Sequence, residues 1–517
     1  MKFISNNRDQ INMFGYTLND LVPQKAKCKL IITLIKKLKL KKLYHRYSSQ
    51  GNHAYDPSMM LATWFLSYCE KETSTRKLEE LCQRDLHFMY ISSNLQPDHT
   101  SLARFRQANI DLMTEYFTQL VLLIKKKKIA EFKDIAIDGS KIQASCSKSK
   151  NRTEDGLSKQ IRKVEEQIKS YMAECDTTER IEAGDIPTIN KKIKQLKKEK
   201  KKLLKHQREL IQRRKKLKKE HRNNHRINLT EPDAFNMNHV NGSNKLPAYN
   251  SQISVDTKTQ IIAANDVVQD RNDTEQFEKQ HKNVEKNLGQ DVDREYTTDS
   301  GYHSLEQLEY IERNKIKAIV ADKNPKNRCG NKNYSQEEIQ DRFKGKKRIE
   351  RSDFIYHKED DYYECPAGQR LLLDKKITCH GRSGFRYRCY DCIGCRYYNQ
   401  CIPKKKKIRY RQITRDDHEY LAEQMYIKTK TEYGKQKLKQ RAYSVEGVFG
   451  NIKENLGFRR FRLRGLTAVR GEFNLMCIAY NINKIHILFF YYFYLALYRI
   501  FKERINIFTK VYSIHNK

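Results

Sequence analysis

The first quarter of the chain has the apolar spacing of short amphipathic helices. After the helix-start pair Asp56-Pro57, apolar residues recur three and four positions apart from Met60 to Phe65. The polar segment 97–101 then has the composition of the N-terminal cap of a further helix. Residues 1–125 are therefore predicted to form an all-α domain, a pattern shared by DNA-binding bundles and by ordinary helical domains.

The period changes to two at Asp134-Ile-Ala-Ile-Asp138, where alternate residues share a face as in a strand. Strand and helix patterns then alternate. The further strands are predicted at 249–256, 260–264, 293–298 and 318–321, and the helices at 274–288 and 304–313. Residues 126–485 are thus expected to hold a mixed α/β domain, interrupted by two insertions.

The first insertion, 158–226, has apolar residues at heptad spacing. Its two predicted helices carry the apolar positions Ile161, Val164, Ile168, Ile189, Ile193, Leu196, Leu203, Leu210 and Leu217. Gly184 and Pro187 mark a turn between them, so a coiled-coil hairpin is predicted. Its second helix is very rich in lysine and arginine, which suits either a solvated face or a surface lying along DNA phosphates.

The second insertion, 323–440, is rich in cysteine. Its cysteines are Cys329, Cys365, Cys379, Cys389, Cys392, Cys395 and Cys401. Pairs of cysteines separated by two residues can bind one tetrahedral Zn²⁺, and the candidate ligands are Cys392, Cys395 and Cys401 with Cys365 or Cys389. The alternative is a set of reduced structural thiols.

Composition points to a polyanionic partner. The 517 residues carry a net charge of +39, although part of the lysine excess belongs to a general bias towards Lys, Asn, Ile and Tyr. No signal peptide is recognisable at the N-terminus, and thirteen cysteines then suit a reducing cytoplasm. The uncharged run Ile485 to Tyr498, at the start of a tail 486–517, is too short to span a bilayer, so no membrane role is expected.

A helix predicted near residues 443–453 combines a carboxylate with cationic charge. Glu446 and Lys453 are two helical turns apart, and arginines follow at 459, 460, 462, 464 and 470. An anionic phosphate backbone with bound metal ions would account for this combination. A solvated helix end followed by a basic loop would account for it as well.

Three acids occupy places suited to phosphodiester chemistry. Asp138 and Asp299 end predicted strands, and Glu446 lies on the later helix. Two divalent ions roughly 4 Å apart need such convergent carboxylates. Other acids beside strands are weaker candidates, namely Asp134, Asp256 and Asp322.

With these residues in this order, the chain resembles a DDE transposase of a bacterial insertion sequence from about residue 55 to 485. Four motifs carry the resemblance: Pro97-Asp-His-Thr-Ser-Leu-Ala-Arg-Phe-Arg106 of an InsH-type helical domain, Ile137-Asp138-Gly-Ser-Lys141, Thr298-Asp299-Ser-Gly-Tyr302 and Val445-Glu446-Gly-Val-Phe-Gly-Asn-Ile-Lys453. Two positions depart from the family pattern. Ser300 replaces the usual lysine, and Ala442 stands where the family has an arginine, with Arg441 one residue early.

The resemblance implies an α/β, RNase H-like mixed-sheet core in which Asp138, Asp299 and Glu446 bind Mg²⁺, as two ions in the family pattern. It implies cleavage at the terminal inverted repeats, joining of the 3′ ends to target DNA, and a homodimer or larger assembly. The residues expected to contact DNA are Arg441, Lys453, Arg459, Arg460, Arg462 and Arg464. Two alternatives remain open: a catalytically inactive DNA-binding relic, and a metal-dependent nuclease without strand transfer.

Overall fold

The computed structural model describes most of the chain. The described residues are 3–5, 7–11, 15–47, 53–178, 186–215, 225–238, 245–323, 348–379, 381–402 and 409–489. The predicted turn residue Gly184, the heptad position Leu217 and the tail beyond residue 489 lie outside these ranges.

The helices of the described residues are distributed along the whole chain. They are α1 (Leu18–Leu21), α2 (Lys27–Ile35), α3 (Lys41–Tyr44), α4 (Pro57–Cys69), α5 (Thr75–Arg84), α6 (Leu86–Ile91), α7 (His99–Asn109), α8 (Met113–Lys126), α9 (Glu154–Thr178), α10 (Ile186–Lys215), α11 (Gln276–Leu288), α12 (Leu305–Arg313), α13 (Tyr398–Cys401), α14 (Glu419–Lys430), α15 (Glu432–Gly450) and α16 (466–489).

The strands form two larger sheets and one short ribbon. They are β1 (Asp134–Gln143), β2 (Asn151–Arg152), β3 (Ile227–Asn228), β4 (Phe235–Asn238), β5 (Lys245–Asp256), β6 (Ile262–Val268), β7 (Glu295–Thr298), β8 (Lys317–Val320), β9 (Ile355–His357), β10 (Tyr362–Glu364), β11 (Arg370–Cys379), β12 (Arg382–Arg388) and β13 (Gln412–Asp416).

Helix α4 is the centre of the N-terminal bundle. The carboxylate of Asp56 caps it by accepting hydrogen bonds from the backbone N–H of Ser58 at 2.8 Å and of Met59 at 3.1 Å, as the Asp-Pro signal predicts. Apart from Ser58, every residue of α4 is buried. A helix that is apolar all round must be enclosed by its neighbours, so α4 is a core helix and not a surface element.

The mixed sheet is built around β1. Strand β1 pairs antiparallel with β5 and parallel with β7, while β7 pairs parallel with β8 and β5 pairs antiparallel with β4 and β6. This is the α/β architecture with a mixed sheet that the sequence predicts for the catalytic core. Strand β1 runs on to Gln143, five residues beyond the predicted end at Asp138.

The N-terminal helices and the mixed sheet share one continuous hydrophobic core, which α16 joins. At one point along α16, Tyr68 Oη donates a hydrogen bond to Glu472 Oε1 at 3.2 Å. At another, Asn481 bonds both the N–H and the carbonyl of Ile262 in β6, each at 2.9 Å. The helical region is therefore packed onto the α/β core through a helix that lies much later in the sequence.

The first insertion is a helical hairpin formed by α9 and α10. Its seam is a separate small core whose buried members include Val164, Leu203 and Leu210. The short ribbon of β2 and β3 lies at its base, with Arg152 opposite Ile227. The heptad-spaced positions thus face each other across the hairpin, which leaves the lysine-rich face of α10 exposed.

The cysteine-rich region contains a five-stranded antiparallel sheet in the order β13-β12-β11-β10-β9. We call the region 348–416 the cysteine module. It has its own hydrophobic cluster, and its strands were not predicted from the sequence. Arg382 of the module forms ion pairs with Glu306 and Glu309 of α12, which attach the module to the α/β core.

Candidate active site

Asp138 and Asp299 are brought together by the parallel pairing of β1 with β7. The register ends at Ile137, which lies opposite Thr298. Asp138 and Asp299 each follow the last paired residue, so the two carboxylates lie side by side where the parallel pairing ends. The sequence predicted each acid from its position after an apolar strand. The strand register explains why the two acids lie close together.

Arg441 lies between these two carboxylates. Its Nη2 is 2.6 Å from Asp138 Oδ1 and 3.8 Å from Asp299 Oδ2, and it donates a longer hydrogen bond of 3.5 Å to the carbonyl of Ile137. The arginine is buried, with 9 % of its surface exposed. The structure therefore places Arg441 within the acidic centre and not on an exposed DNA-facing surface. The one-residue departure from the family spacing still brings a guanidinium to the acids.

The environment of Asp138 disfavours its charge. Burial raises the pKa of Asp138 to about 6, because an ionised carboxylate loses hydration there. The Arg441 guanidinium opposes this increase, whereas the carboxylates of Asp299 and Asp273 add to it. Asp299 is more exposed, and its Oδ1 accepts a hydrogen bond of 2.9 Å from the backbone N–H of Gly301, which fixes its orientation.

Glu446 lies on α15, between two residues that reach β1. Arg441 contacts Asp138, and Lys453, just beyond the helix in a π-helical turn, donates a hydrogen bond of 2.5 Å to Ser140 Oγ. Glu446 is about 7.5 Å along the helix axis from Arg441, given a rise of about 1.5 Å per residue. The Glu446 side chain is exposed, and the carboxylates that contact the Arg441 guanidinium among the described residues are those of Asp138 and Asp299.

A fourth carboxylate, which sequence reasoning missed, lies beside the first two acids. Asp273 Oδ1 accepts hydrogen bonds from Asn250 Nδ2 and Gln252 Nε2, both at 2.7 Å, and lies 3.5 Å from Lys141 Nζ. Asp273 is in the loop between β6 and α11, so its position depends on tertiary packing. A usable signal was present in β5, where Asn250 and Gln252 are fully buried polar residues at alternate positions.

Gly139 is required by this arrangement. A Cβ atom at Gly139 would lie 2.1 Å from Gln252 Nε2 and 2.8 Å from Asp273 Oδ1. Any larger residue after Asp138 would displace the amide and the carboxylate. The glycine of the first motif is therefore explained by close approach of side chains from β5 and from the β6–α11 loop.

The predicted arginines lie at the other end of β1. The backbone of 459–461 pairs beside Gln143, whose N–H donates to the Arg459 carbonyl at 3.2 Å and whose carbonyl accepts from Phe461 N–H at 2.9 Å. We call residues 459–464 the arginine loop. Its exposed arginines are Arg459, Arg460, Arg462 and Arg464. Two of their guanidinium groups donate to carbonyls just after β1, Arg460 to Ala144 and Arg464 to Ser145.

Arg470 lies apart from this loop, since its Nε is 3.0 Å from both the Val267 carbonyl and Asp266 Oδ1 in β6. The weaker acid candidates make other contacts. Asp134 forms an ion pair with Lys437, and Asp256 Oδ2 accepts hydrogen bonds within its own turn. These contacts account for both acids structurally.

The chemistry of the acidic centre fits a divalent ion. Asp138 and Asp299 present carboxylate oxygens, the ligands that Mg²⁺ prefers, and one cationic nitrogen already lies between them. Within the described ranges, no three His, Cys, Asp or Glu side chains are already spaced as the ligands of one ion. A third ligand from Glu446 would therefore require its exposed side chain to turn towards the pair.

Comparison with protein families agrees with this geometry. Residues 16–108 match the family described as Transposase domain (DUF772), and residues 364–486 match the family described as Transposase DDE domain. Both matches support a DDE transposase of an insertion sequence. The DDE match runs from the cysteine module through Glu446 and most of α16, so the module lies within the matched region. Asp138 and Asp299 precede that match.

No curated protein matches this transposase in sequence. In the part of the chain that the structure describes, no helix is both long and apolar enough to cross a membrane. The apolar run from Ile485 extends past residue 489, and most of it is outside the described ranges.

Proposed function

We propose that this transposase cleaves phosphodiester bonds at the ends of an insertion sequence and joins the freed 3′ ends to target DNA. The observation that carries the proposal is the pair Asp138 and Asp299, which flank a single cationic nitrogen at the edge of the mixed sheet. The helix that supplies this cation also carries Glu446.

We propose Asp138, Asp299 and Glu446 as the ligands of two Mg²⁺ ions. When bound, the ions supply activation of the attacking oxygen and stabilisation of the leaving oxygen. The protein's own contribution begins with orientation, since the Gly301 N–H holds one oxygen of Asp299. Arg441 offsets the mutual repulsion of Asp138 and Asp299, so both can remain ionised close together.

DNA is the proposed partner, as terminal inverted repeats and as target. Support comes from the net charge of +39 and from the exposed guanidinium groups of the arginine loop at the far end of β1. About five residues of extended chain separate Asp138 from Gln143, roughly 17 Å at 3.3 Å per residue. Phosphates of duplex DNA bound there would lie about five nucleotides from the bond being cut, at about 3.4 Å per nucleotide. Assembly as a homodimer or larger oligomer, in the cytoplasm, is part of the same proposal.

The test is a cleavage and strand-transfer assay on the purified protein. A labelled DNA that carries the element's own ends is incubated with Mg²⁺ and a plasmid target. Asp138→Asn, Asp299→Asn and Glu446→Gln should each reduce cleavage by about 10²-fold or more, the scale found when one essential electrostatic group is removed. Asp293→Asn is the matched control, because that carboxylate is exposed and forms an ion pair with Lys317.

Binding to the same DNA is measured in parallel by gel shift. The three variants should bind as the wild type does, since they change the chemistry and not the charged loop. Wild-type protein that binds the ends but never cleaves them would support the alternative of a catalytically inactive DNA-binding relic. Cleavage without joined product would support a nuclease, and full cleavage by Asp138→Asn would remove that residue from the mechanism.

A further inference from the structure

The cysteine module contains a feature that DNA cleavage does not use. Five cysteines line one small cavity of about 20 Å³, together with residues of the β10–β11 turn and of α13. The five are Cys365, Cys389, Cys392, Cys395 and Cys401. A cavity of this size holds about one water-sized particle. All five are free thiols, so no disulfide explains why they are together.

Two of these sulfurs accept backbone hydrogen bonds. Cys365 Sγ accepts from the N–H of Ala367 at 3.4 Å and from the N–H of Gln369 at 3.3 Å. Cys392 Sγ accepts from the N–H of Arg411 at 3.3 Å. N–H donors directed at sulfur favour the thiolate over the thiol, and the thiolate is the form that binds metal.

We infer that Cys365, Cys392, Cys395 and Cys401 bind one structural Zn²⁺ and that Cys389 is not a ligand. The four sulfurs come from three segments: the β10–β11 turn, the loop after β12 and helix α13. Four thiolates from separate segments are the donor set of a closed tetrahedral zinc site. This resolves the ligand set that spacing alone leaves open between Cys365 and Cys389.

Backbone pairing and burial separate Cys389 from the partly exposed cysteines. The N–H of Cys389 donates a hydrogen bond to the Arg411 carbonyl at 3.1 Å, beside the pairing of β12 with β13. Cys389 is 2 % exposed, whereas Cys365, Cys395 and Cys401 are each partly exposed. Cys392 is buried as well, and its Sγ accepts a hydrogen bond from the N–H of Arg411.

The four thiols still have to close around the ion. Among the described residues, no three of these cysteine side chains are already spaced as ligands of one ion. Zinc binding therefore requires rotation of cysteine side chains within a preformed cavity. A bound metal ion would stabilise the cysteine module, because the hydrophobic cluster of the module is small. Its cluster contains nine buried residues in the described part of the chain, and cores this small commonly depend on a metal or a disulfide.

Metal analysis of the full-length protein tests the inference. Protein purified without chelator should contain about one zinc per chain by mass spectrometry, as expected for a closed four-thiolate site. Cys395→Ser and Cys401→Ser should lose most of this zinc. Cys389→Ser and the distant Cys28→Ser are the matched controls and should retain it, because both are buried thiols outside the proposed ligand set.

Cobalt substitution supplies a second measurement in case a variant fails to fold. Chelator-treated wild-type protein titrated with Co²⁺ should show thiolate-to-cobalt charge transfer and intense tetrahedral d–d bands that saturate at about one equivalent. Wild-type protein without zinc and without these bands would overturn the inference. Equal zinc in Cys395→Ser and the wild type, or loss of zinc in Cys389→Ser, would overturn the ligand assignment. Neither measurement depends on whether the protein cuts DNA.

Discussion

The middle of β1 and its C-terminal end differ in burial and in charge. Around Asp138, three carboxylates and one guanidinium are packed against buried amides, and the environment raises the pKa of an acid. Around Gln143, the arginine loop pairs with the strand edge and leaves its cationic side chains exposed. Acidic groups are held by tertiary contacts around Asp138, while beside Gln143 a backbone pairing presents exposed cationic side chains. This difference is the basis for the proposal of chemistry at Asp138 and DNA binding at the arginine loop.

The helical hairpin extends from the exposed end, and its removal should have the largest effect on binding. One face of α10 carries exposed cations, namely Lys198, Lys201, Lys202, Lys205 and Arg208. If these side chains lie along DNA, deleting the hairpin should lower the slope of log affinity against log salt by about 4. The β2–β3 ribbon provides the design, because replacing 153–226 with Asn-Gly joins paired strands by a two-residue turn.

Salt titrations of binding on the wild type and this deletion variant are the measurement. Cleavage of DNA bound at saturating protein concentration should be little changed, since the hairpin contributes none of the acids. An unchanged salt slope with a smaller oligomer in light scattering would instead assign the hairpin to assembly.

Alanine substitution of Arg459, Arg460 and Arg462 should have the next largest effect. Removing three phosphate contacts should lower the salt slope by up to about 3 for any DNA sequence, because phosphate contacts carry no sequence information. The control is Arg470→Ala, whose guanidinium is engaged by Asp266 and the Val267 carbonyl in β6. Equal slopes in the triple variant and the wild type would contradict the division of roles along β1.

Beside Asp138, Asp273→Ala should reduce the free energy of unfolding. The change leaves the amides of Asn250 and Gln252 without their shared acceptor, which costs about 1–3 kcal/mol in the free energy of unfolding. Asp293→Ala removes an exposed carboxylate and should cost less than about 1 kcal/mol. Urea denaturation compares the two variants, and equal losses would show that the Asp273 network is not a stabilising element.

The smallest effect concerns pH. Because burial raises the pKa of Asp138 from 3.8 to about 6, the folded protein binds this proton more tightly than the unfolded chain. The stability contributed by this group is present below about pH 4 and is lost as pH rises through about 6. In chelator, the melting temperature of the wild type should therefore fall relative to that of Asp138→Asn over this interval. Added Mg²⁺ should reduce this fall in melting temperature. If the melting temperatures of the two proteins change in parallel with pH, both in chelator and in Mg²⁺, the raised pKa of Asp138 would be contradicted.

Sequence reasoning identified what depends on local pattern. The heptad spacing from Ile189 to Leu210 predicted the hairpin, and the acids after apolar strands predicted the adjacent pair Asp138 and Asp299. What it missed depends on contacts between distant segments. Asp273 reaches the site only because β5 and the β6–α11 loop meet there, and the five-stranded sheet of the cysteine module has little local periodicity.

Helix α16 has a consequence for how the protein is made. Tyr68 and Glu472 meet across 404 residues of sequence, and the core that they join is continuous. A nascent chain would expose the apolar surface that α4 and β6 present to α16 until α16 left the ribosome. Folding that depends on contacts between such distant segments is slow and prone to aggregation. A prematurely terminated chain would carry Asp138 and Asp299 but lack the helix that completes the fold. Translation through α16 is therefore a condition for the continuous core to form.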